Sequence, residues 1–267
     1  MKVLNGLELA GFIKERQAHE VRGLRQAWGV TPKLAIVVTI EHPAIDVYMR
    51  MKTRYGADIL IEVETHRIAQ ADAPSTIQKL NADPSVHGII VQLPLDDPSQ
   101  TDEIVNLVAP EKDVDALGKD ATLDPATPLA ILWLLAGYNI DLAGKKIVLV
   151  GRGKLVGAPL ERMLHTSGHD VTVIDRKTTD VPAVVRQADI IVTATGQPGL
   201  ITSDMIKEKA VVVDAGVAGE QGKTVGDLAD DVYERDDLTI TPRKGGVGPL
   251  TICALFDNVI RAARASA

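Results

Sequence analysis

The 267-residue chain is 45% apolar and 24% charged, proportions of a folded globular protein with room for two domains, and they exclude intrinsic disorder. Its net charge of −7 and the absence of a Lys/Arg run argue against nonspecific nucleic-acid binding. Aromatic residues make up only 3%, so the core is expected to be aliphatic.

The first residues, MKVLNGLELAGF, contain no long apolar segment, and no apolar run of about 18 residues occurs anywhere. Neither secretion nor a membrane span is therefore expected, and a cytoplasmic location is the default. Cys253 is the single cysteine, which rules out an internal disulfide or a thiolate zinc cluster. The six histidines are scattered and form no HExxH motif, and most are read as surface or capping residues. No metal is expected.

A helix is expected over 7–27, then strand LAIVV (34–38), a helix around 44–55, strand DILIEVE (58–64), a helix over 75–82 and strand GIIVQL (88–93). The apolar segment Ile131 to Leu135 suggests a further helix, and the domain boundary is placed within 117–140. Five more strands follow: KIVLVG (146–151), DVTVID (170–175), DIIVTAT (189–195), VVVDAG (211–216) and LTITP (238–242). Strands alternating with helices give an α/β class with parallel sheets, the second half being doubly wound. Near-continuous Val/Ile runs imply strands buried on both faces. The last segment, PLTICALFDNVIRAARA, reads as a helix with Ile252, Leu255, Val259 and Ile260 apolar.

After KIVLVG comes GRGKLVGAP, with Gly151, Gly153 and Gly157 at a strand-to-helix turn. Glycines there permit a tight turn and close backbone approach, and the helix N-terminus offers N–H groups to a pyrophosphate. The spacing is one residue longer than the common dinucleotide fingerprint. Asp175 ends the next strand, where a carboxylate suits the ribose of NAD, yet Arg176 and Lys177 follow it and suit the 2′-phosphate of NADP. The two cues conflict.

On a helix starting near Pro43, Tyr48, Lys52 and Tyr55 share one face, while Val47 and Met51 form a neighbouring stripe that can bury. Alone, Lys52 reads as a snorkelling surface charge. Gln92, at the carboxyl end of GIIV, stands where α/β sheets place ligand contacts, and EKDVDAL puts Asp113 and Asp115 on alternate positions. Singly, Gln92 is an edge hydrogen bonder and Asp115 a cap.

Together, YMRMK, VQLPL, PEKDVD, PATP, GRGKLVGAP, ATGQPGLI, VVVDAG, VGDL and TPRKGGVGPLT resemble, in order and approximate spacing, the bifunctional methylenetetrahydrofolate dehydrogenase/methenyltetrahydrofolate cyclohydrolase family. The resemblance covers nearly the whole chain. It implies a two-lobed α/β protein: a catalytic, folate-binding domain over 1–120, a Rossmann-type domain over 121–267, and a final helix, about 250–267, that returns to the first. Folate would lie between the lobes, and a homodimer is implied.

The implied activity is oxidation of 5,10-methylenetetrahydrofolate with NADP, then hydrolysis to 10-formyltetrahydrofolate, in one-carbon metabolism. By resemblance Lys52 is the general acid/base, Gln92 tunes it, Tyr48 positions folate and Asp115 accepts hydrogen bonds from the pterin. Gly151, Arg152 and Gly153 match the phosphate turn, Arg176 the 2′-phosphate contact and Val217 a backbone contact to the nicotinamide half; NAD stays the alternative cofactor. Five departures stand out. Thr39 and Ile45 replace a glycine and a serine, Ala126 a cysteine, Ala116 a glycine, and Arg243–Lys244 adds charge before GGVGP. The rival readings are a monofunctional NAD-linked dehydrogenase, a folate- or nucleotide-binding protein without catalysis, and an amino-acid-type dehydrogenase.

Overall fold

Valine- and isoleucine-rich runs form the central strands, and helix-period segments connect them. The computed structural model describes every residue except 217, 221 and 222, with the backbone alone for 44, 218–220 and 223–224. In chain order the elements are β1 (Lys2–Val3), α1 (Gly6–Trp28), β2 (Lys33–Val38), α2 (Pro43–Asp58), β3 (Glu62–Arg67), α3 (Ala73–Ala82), β4 (Gly88–Val91) and α4 (Thr101–Val105). There follow α5 (Ala126–Gly137), β5 (Ile147–Val150), α6 (Gly157–Thr166), β6 (Val171–Ile174), α7 (Val181–Val185), β7 (Ile190–Thr193), β8 (Val211–Asp214), β9 (Ala218–Glu220), β10 (Lys223–Val225), β11 (Thr239–Ile240) and α8 (Val247–Ala265). No described helix is long and apolar enough to cross a membrane.

Two units result, Met1–Ala10 with Thr127–Thr251 and Gly11–Ala126 with Ile252–Ala267. The expected first domain began at residue 1, but the first ten residues belong with the dinucleotide-type unit. The cause is backbone pairing: Lys2 N–H donates to Leu238 O (2.9 Å) and Leu4 N–H to Ile240 O (2.8 Å), which adds β1 to the sheet edge. Two residues are too few to show as a periodic run.

That sheet is six-stranded, in the order β1-β11-β8-β7-β5-β6, with every pair parallel. β5 and β7 are buried along their length, as expected of strands covered on both faces. β6 lies on one side of β5, and β7, β8 and β11 on the other. The winding therefore reverses at β5, and α/β sheets bind ligands outside the carboxyl ends of the strands at such a switch point.

In the second unit a parallel sheet runs β3-β2-β4, with β2 central and buried and β3 a half-exposed edge. The strand expected at 58–64 starts four residues later. Helix α2 continues to Asp58 and closes with Ile61 N–H on Gly56 O (2.8 Å) across Leu60 in the left-handed region (φ 66°). Ile59 and Ile61 are therefore buried turn residues. His87 departs from the surface role expected of most of the histidines: it is buried, and its Nδ1 accepts Lys33 N–H (3.1 Å).

Candidate active site

Helix α2 buries Ile45, Met49 and Gly56, and Ile59 continues the stripe in the closing turn, while Val47 and Met51, read as able to bury, stay 46% and 44% exposed. The helical period explains the correction. Positions 45, 49, 52, 56 and 59 fall on one stripe, and 47 and 51 lie roughly a quarter turn or more to its side. Lys52 thus occupies the centre of the buried stripe, a position the other four residues fill with apolar side chains or glycine.

Its Nζ donates to Gln92 Oε1 at 2.8 Å. Gln92 follows β4 directly, its N–H held by Val37 O (2.9 Å), and its Nε2 donates to Leu93 O (2.9 Å). An ammonium only donates, so the oxygen of the amide must face it, and the second bond pins the amide in that orientation. Burial lowers the Lys52 pKa below its ordinary value, and Asp115 acts in the opposite sense. Asp115 is raised by burial, with Lys52 pulling it down. Both keep some accessible surface, yet both sit deep among protein atoms. Depth governs the shift, because few solvent dipoles reach either charge.

Asp115 sits in a loop held from three sides, of which the sequence reading named only Asp113, without a role. Lys112 caps the end of α3 with bonds to Leu80 O, Asn81 O and Asp83 O (3.1, 2.9 and 2.7 Å). The buried Asp113 carboxylate accepts Gly118 N–H (2.8 Å), curling the chain through Ala116 at φ 54°. Asn258 of α8 donates to Val114 O (2.9 Å) and Asp124 O (2.8 Å). An amide in the apolar face of the last helix was the signal available for Asn258.

Tyr48, one turn before Lys52, is 46% exposed. Ile45 belongs to the core stripe and leaves the Lys52–Gln92 bond intact, whereas Thr39 Oγ1 is buried with no hydrogen-bond partner. Tyr55, on the expected face, turns to α1 and the last helix: its OH donates to Gln17 Oε1 of α1 (2.7 Å) and its ring packs on Phe256 of α8, centroids 5.0 Å apart.

In the other unit the three glycines of GRGKLVG have three different reasons. Gly151 has φ 103°, and a Cβ there would lie 2.7 Å from Ala194 O. A Cβ at Gly157 would lie 2.1 Å from Gly151 O, and one at Gly153 would meet nothing within 4 Å. The first and third glycines build the turn, and the second leaves backbone open to close approach. Helix α6 begins at Gly157 without a side-chain cap; Ala158 N–H is bonded to Gly153 O (3.0 Å) and Pro159 has no N–H, so of the first three positions Gly157 alone offers its N–H to an anion.

Arg152 is committed to Glu161 through Nε (2.7 Å), which raises its pKa. Asp175 spends one carboxylate oxygen on Lys177 N–H (2.8 Å), and Arg176 is exposed in the same turn. Val217, the expected nicotinamide contact, lies outside the described residues. The reading also missed Asp214 and Asp227 in VVVDAG and VGDL, the carboxylates that gather the loops after β7 and β8. Arg243 stacks on Tyr233, 4.1 Å from its ring centroid, and ion-pairs with Asp230. Burial first, then Asp214, pushes the Tyr233 pKa up to about 12.

A switch-point glycine turn in one unit and a half-buried lysine, amide and carboxylate in the other define an α/β dinucleotide-binding enzyme with a separate catalytic domain. Models of the tetrahydrofolate dehydrogenase/cyclohydrolase catalytic domain and NAD(P)-binding domain match residues 4–115 and 125–267. The chain belongs to that family. It is 41% identical to the bifunctional protein FolD of Moorella thermoacetica, over 98% of this chain and 99% of the relative. The crystal structure of the FolD dehydrogenase/cyclohydrolase of Campylobacter jejuni superposes with a TM-score of 0.93 at 36% identity, covering 99% of both chains. That of Trypanosoma brucei, complexed with NADP and an inhibitor, gives 0.92 at 29%, covering 99% of this chain and 97% of the other.

Proposed function

We propose that this protein oxidises 5,10-methylenetetrahydrofolate to the 5,10-methenyl cation with NADP and hydrolyses that cation to 10-formyltetrahydrofolate. The observation that carries the reading is Lys52, half-buried on the α2 stripe and bonded to Gln92 at 2.8 Å. Bound NADP supplies the hydride acceptor, and the chain's task in that step is to hold donor and acceptor in line.

Hydrolysis needs proton movement. Lys52, its pKa lowered by burial, takes a proton from water as the oxygen adds to the one-carbon bridge. It then returns a proton to N5 as the carbon–N5 bond breaks, and loss of the hydroxyl proton leaves the formyl group on N10. Gln92 orients the amine. Asp115 is assigned to the pterin donors and also favours the charged form of Lys52 against burial, and Tyr48 offers its exposed ring to the substrate.

Gly151, Gly153 and the start of α6 receive the pyrophosphate, with Arg152 freed from Glu161 to assist, Val217 at the nicotinamide half and Arg176 at the 2′-phosphate. The engagement of Asp175 within its own turn favours NADP over NAD. Arg176→Ala is expected to raise KM for NADP about tenfold, roughly 1.4 kcal/mol, while leaving KM for NAD nearly unchanged. Steady-state kinetics with both dinucleotides checks this; an equal rise for both would remove Arg176 from the 2′-phosphate. The retained Lys52–Gln92 bond weighs against a monofunctional dehydrogenase. A homodimer in the cytoplasm completes the proposal on the strength of the family resemblance, and sedimentation measures the former.

A further inference from the structure

We infer that Asp227 is a positioning residue for the dinucleotide, acting through the turn that follows β7. Its carboxylate is fully buried, and it accepts Thr195 N–H on Oδ2 (2.7 Å) and Gln197 N–H on Oδ1 (2.9 Å). Both donors lie in the turn after β7, across the switch point from the glycine turn after β5. The two turns touch, since a Cβ on Gly151 would lie 2.7 Å from Ala194 O and 2.9 Å from Thr195 Cγ2. Asp227 therefore braces the wall against which the glycine turn is set.

The brace is itself anchored. Asp227 N–H and Leu228 N–H donate to Asp214 (3.2 and 3.3 Å), which also accepts Thr193 Oγ1 (3.0 Å) and Gly216 N–H (2.9 Å). Ile201 N–H holds Asp227 O at 3.1 Å. Room for two carboxylates is made by omitting side chains: a Cβ on Gly216 would lie 2.1 Å from Asp227 Oδ1, and one on Gly226 2.0 Å from Asp214 Oδ2. Placing a fully buried carboxylate beside a half-buried one is costly, and an apolar core would pack more cheaply. Their position at the carboxyl ends of β7 and β8 is where such sheets bind ligands.

This inference rests on the NADP reading above, and its test separates the two. Asp227→Asn preserves shape but turns one acceptor into a donor facing an N–H. The calorimetric Kd and the KM for NADP are expected to rise about tenfold, with cyclohydrolase turnover, which consumes no dinucleotide, within about twofold of wild type. A Kd unchanged within twofold would overturn the inference. If the variant does not fold, amide exchange in the wild type decides: NADP should slow exchange at Thr195 and Gln197, and unchanged exchange there overturns it. Wild type that binds no NADP at all defeats the functional reading rather than this assignment.

Discussion

Lys52→Met is expected to lower cyclohydrolase turnover by roughly 10²–10⁴, the range a positioned acid/base supplies. Hydride transfer needs no proton from Lys52, so dehydrogenase turnover should fall far less, and the ratio of the two rates identifies the role. In the wild type the hydrolysis rate should rise with pH through the Lys52 pKa, which burial holds below the ordinary 10.5. The variant should lose that limb.

Stability should change in a linked way. A lysine lowered in the folded state makes wild type gain stability as pH rises from the lowered value towards 10.5. Asp115 is raised above 3.8, so its contribution is lost as pH rises from 3.8 through the folded value. Removing its cation moves that folded value higher still. Melting temperature against pH should therefore fall more steeply above 3.8 in Lys52→Met than in wild type; parallel curves would mean that the two charges are not coupled.

Gly157→Ala carries the second large effect. Its Cβ would sit 2.1 Å from Gly151 O and 2.9 Å from Arg152 Cα, and backbone cannot swing aside as a side-chain tip can. Either the glycine turn or the start of α6 must move, at a cost of about 1–3 kcal/mol or more, with loss of NADP binding. Gly153→Ala is the control, because its Cβ meets nothing within 4 Å. It should keep the melting temperature while weakening NADP, since the second glycine serves ligand approach. Calorimetry and thermal melts on both variants measure this, and equal destabilisation by both would contradict the division of roles.

Buried strands and long helices were legible in the sequence because their periodicity survives folding. β5, β7 and β8 lie within the runs read as strands, and α1 and α2 extend only a few residues beyond expectation. What failed depended on contacts distant along the chain. β1 exists only because β11 offers it an edge, and β3 was placed early because Ile59 and Ile61 look like strand residues while serving a helix-closing turn. The face of α2 was misjudged at Val47 and Met51, although the same helix period points to Ile45 and Met49.

The candidate site was legible residue by residue, from motifs, but its support was not. Lys52, Gln92 and Asp115 carry chemical types that attract attention, whereas Asp113, Lys112 and Asn258 act through backbone carbonyls and N–H groups that no side-chain pattern announces. Asp214 and Asp227 stood within quoted motifs without a role, because their partners are main-chain groups of other loops.

The most direct test of the account is a paired assay of the purified protein, following NADPH formation from 5,10-methylenetetrahydrofolate and the decay of methenyltetrahydrofolate, each with and without Lys52→Met. The account predicts both activities in wild type and a selective loss of the second in the variant. Wild type that binds folate and NADP but turns over neither, or a variant that hydrolyses as fast as wild type, would contradict it.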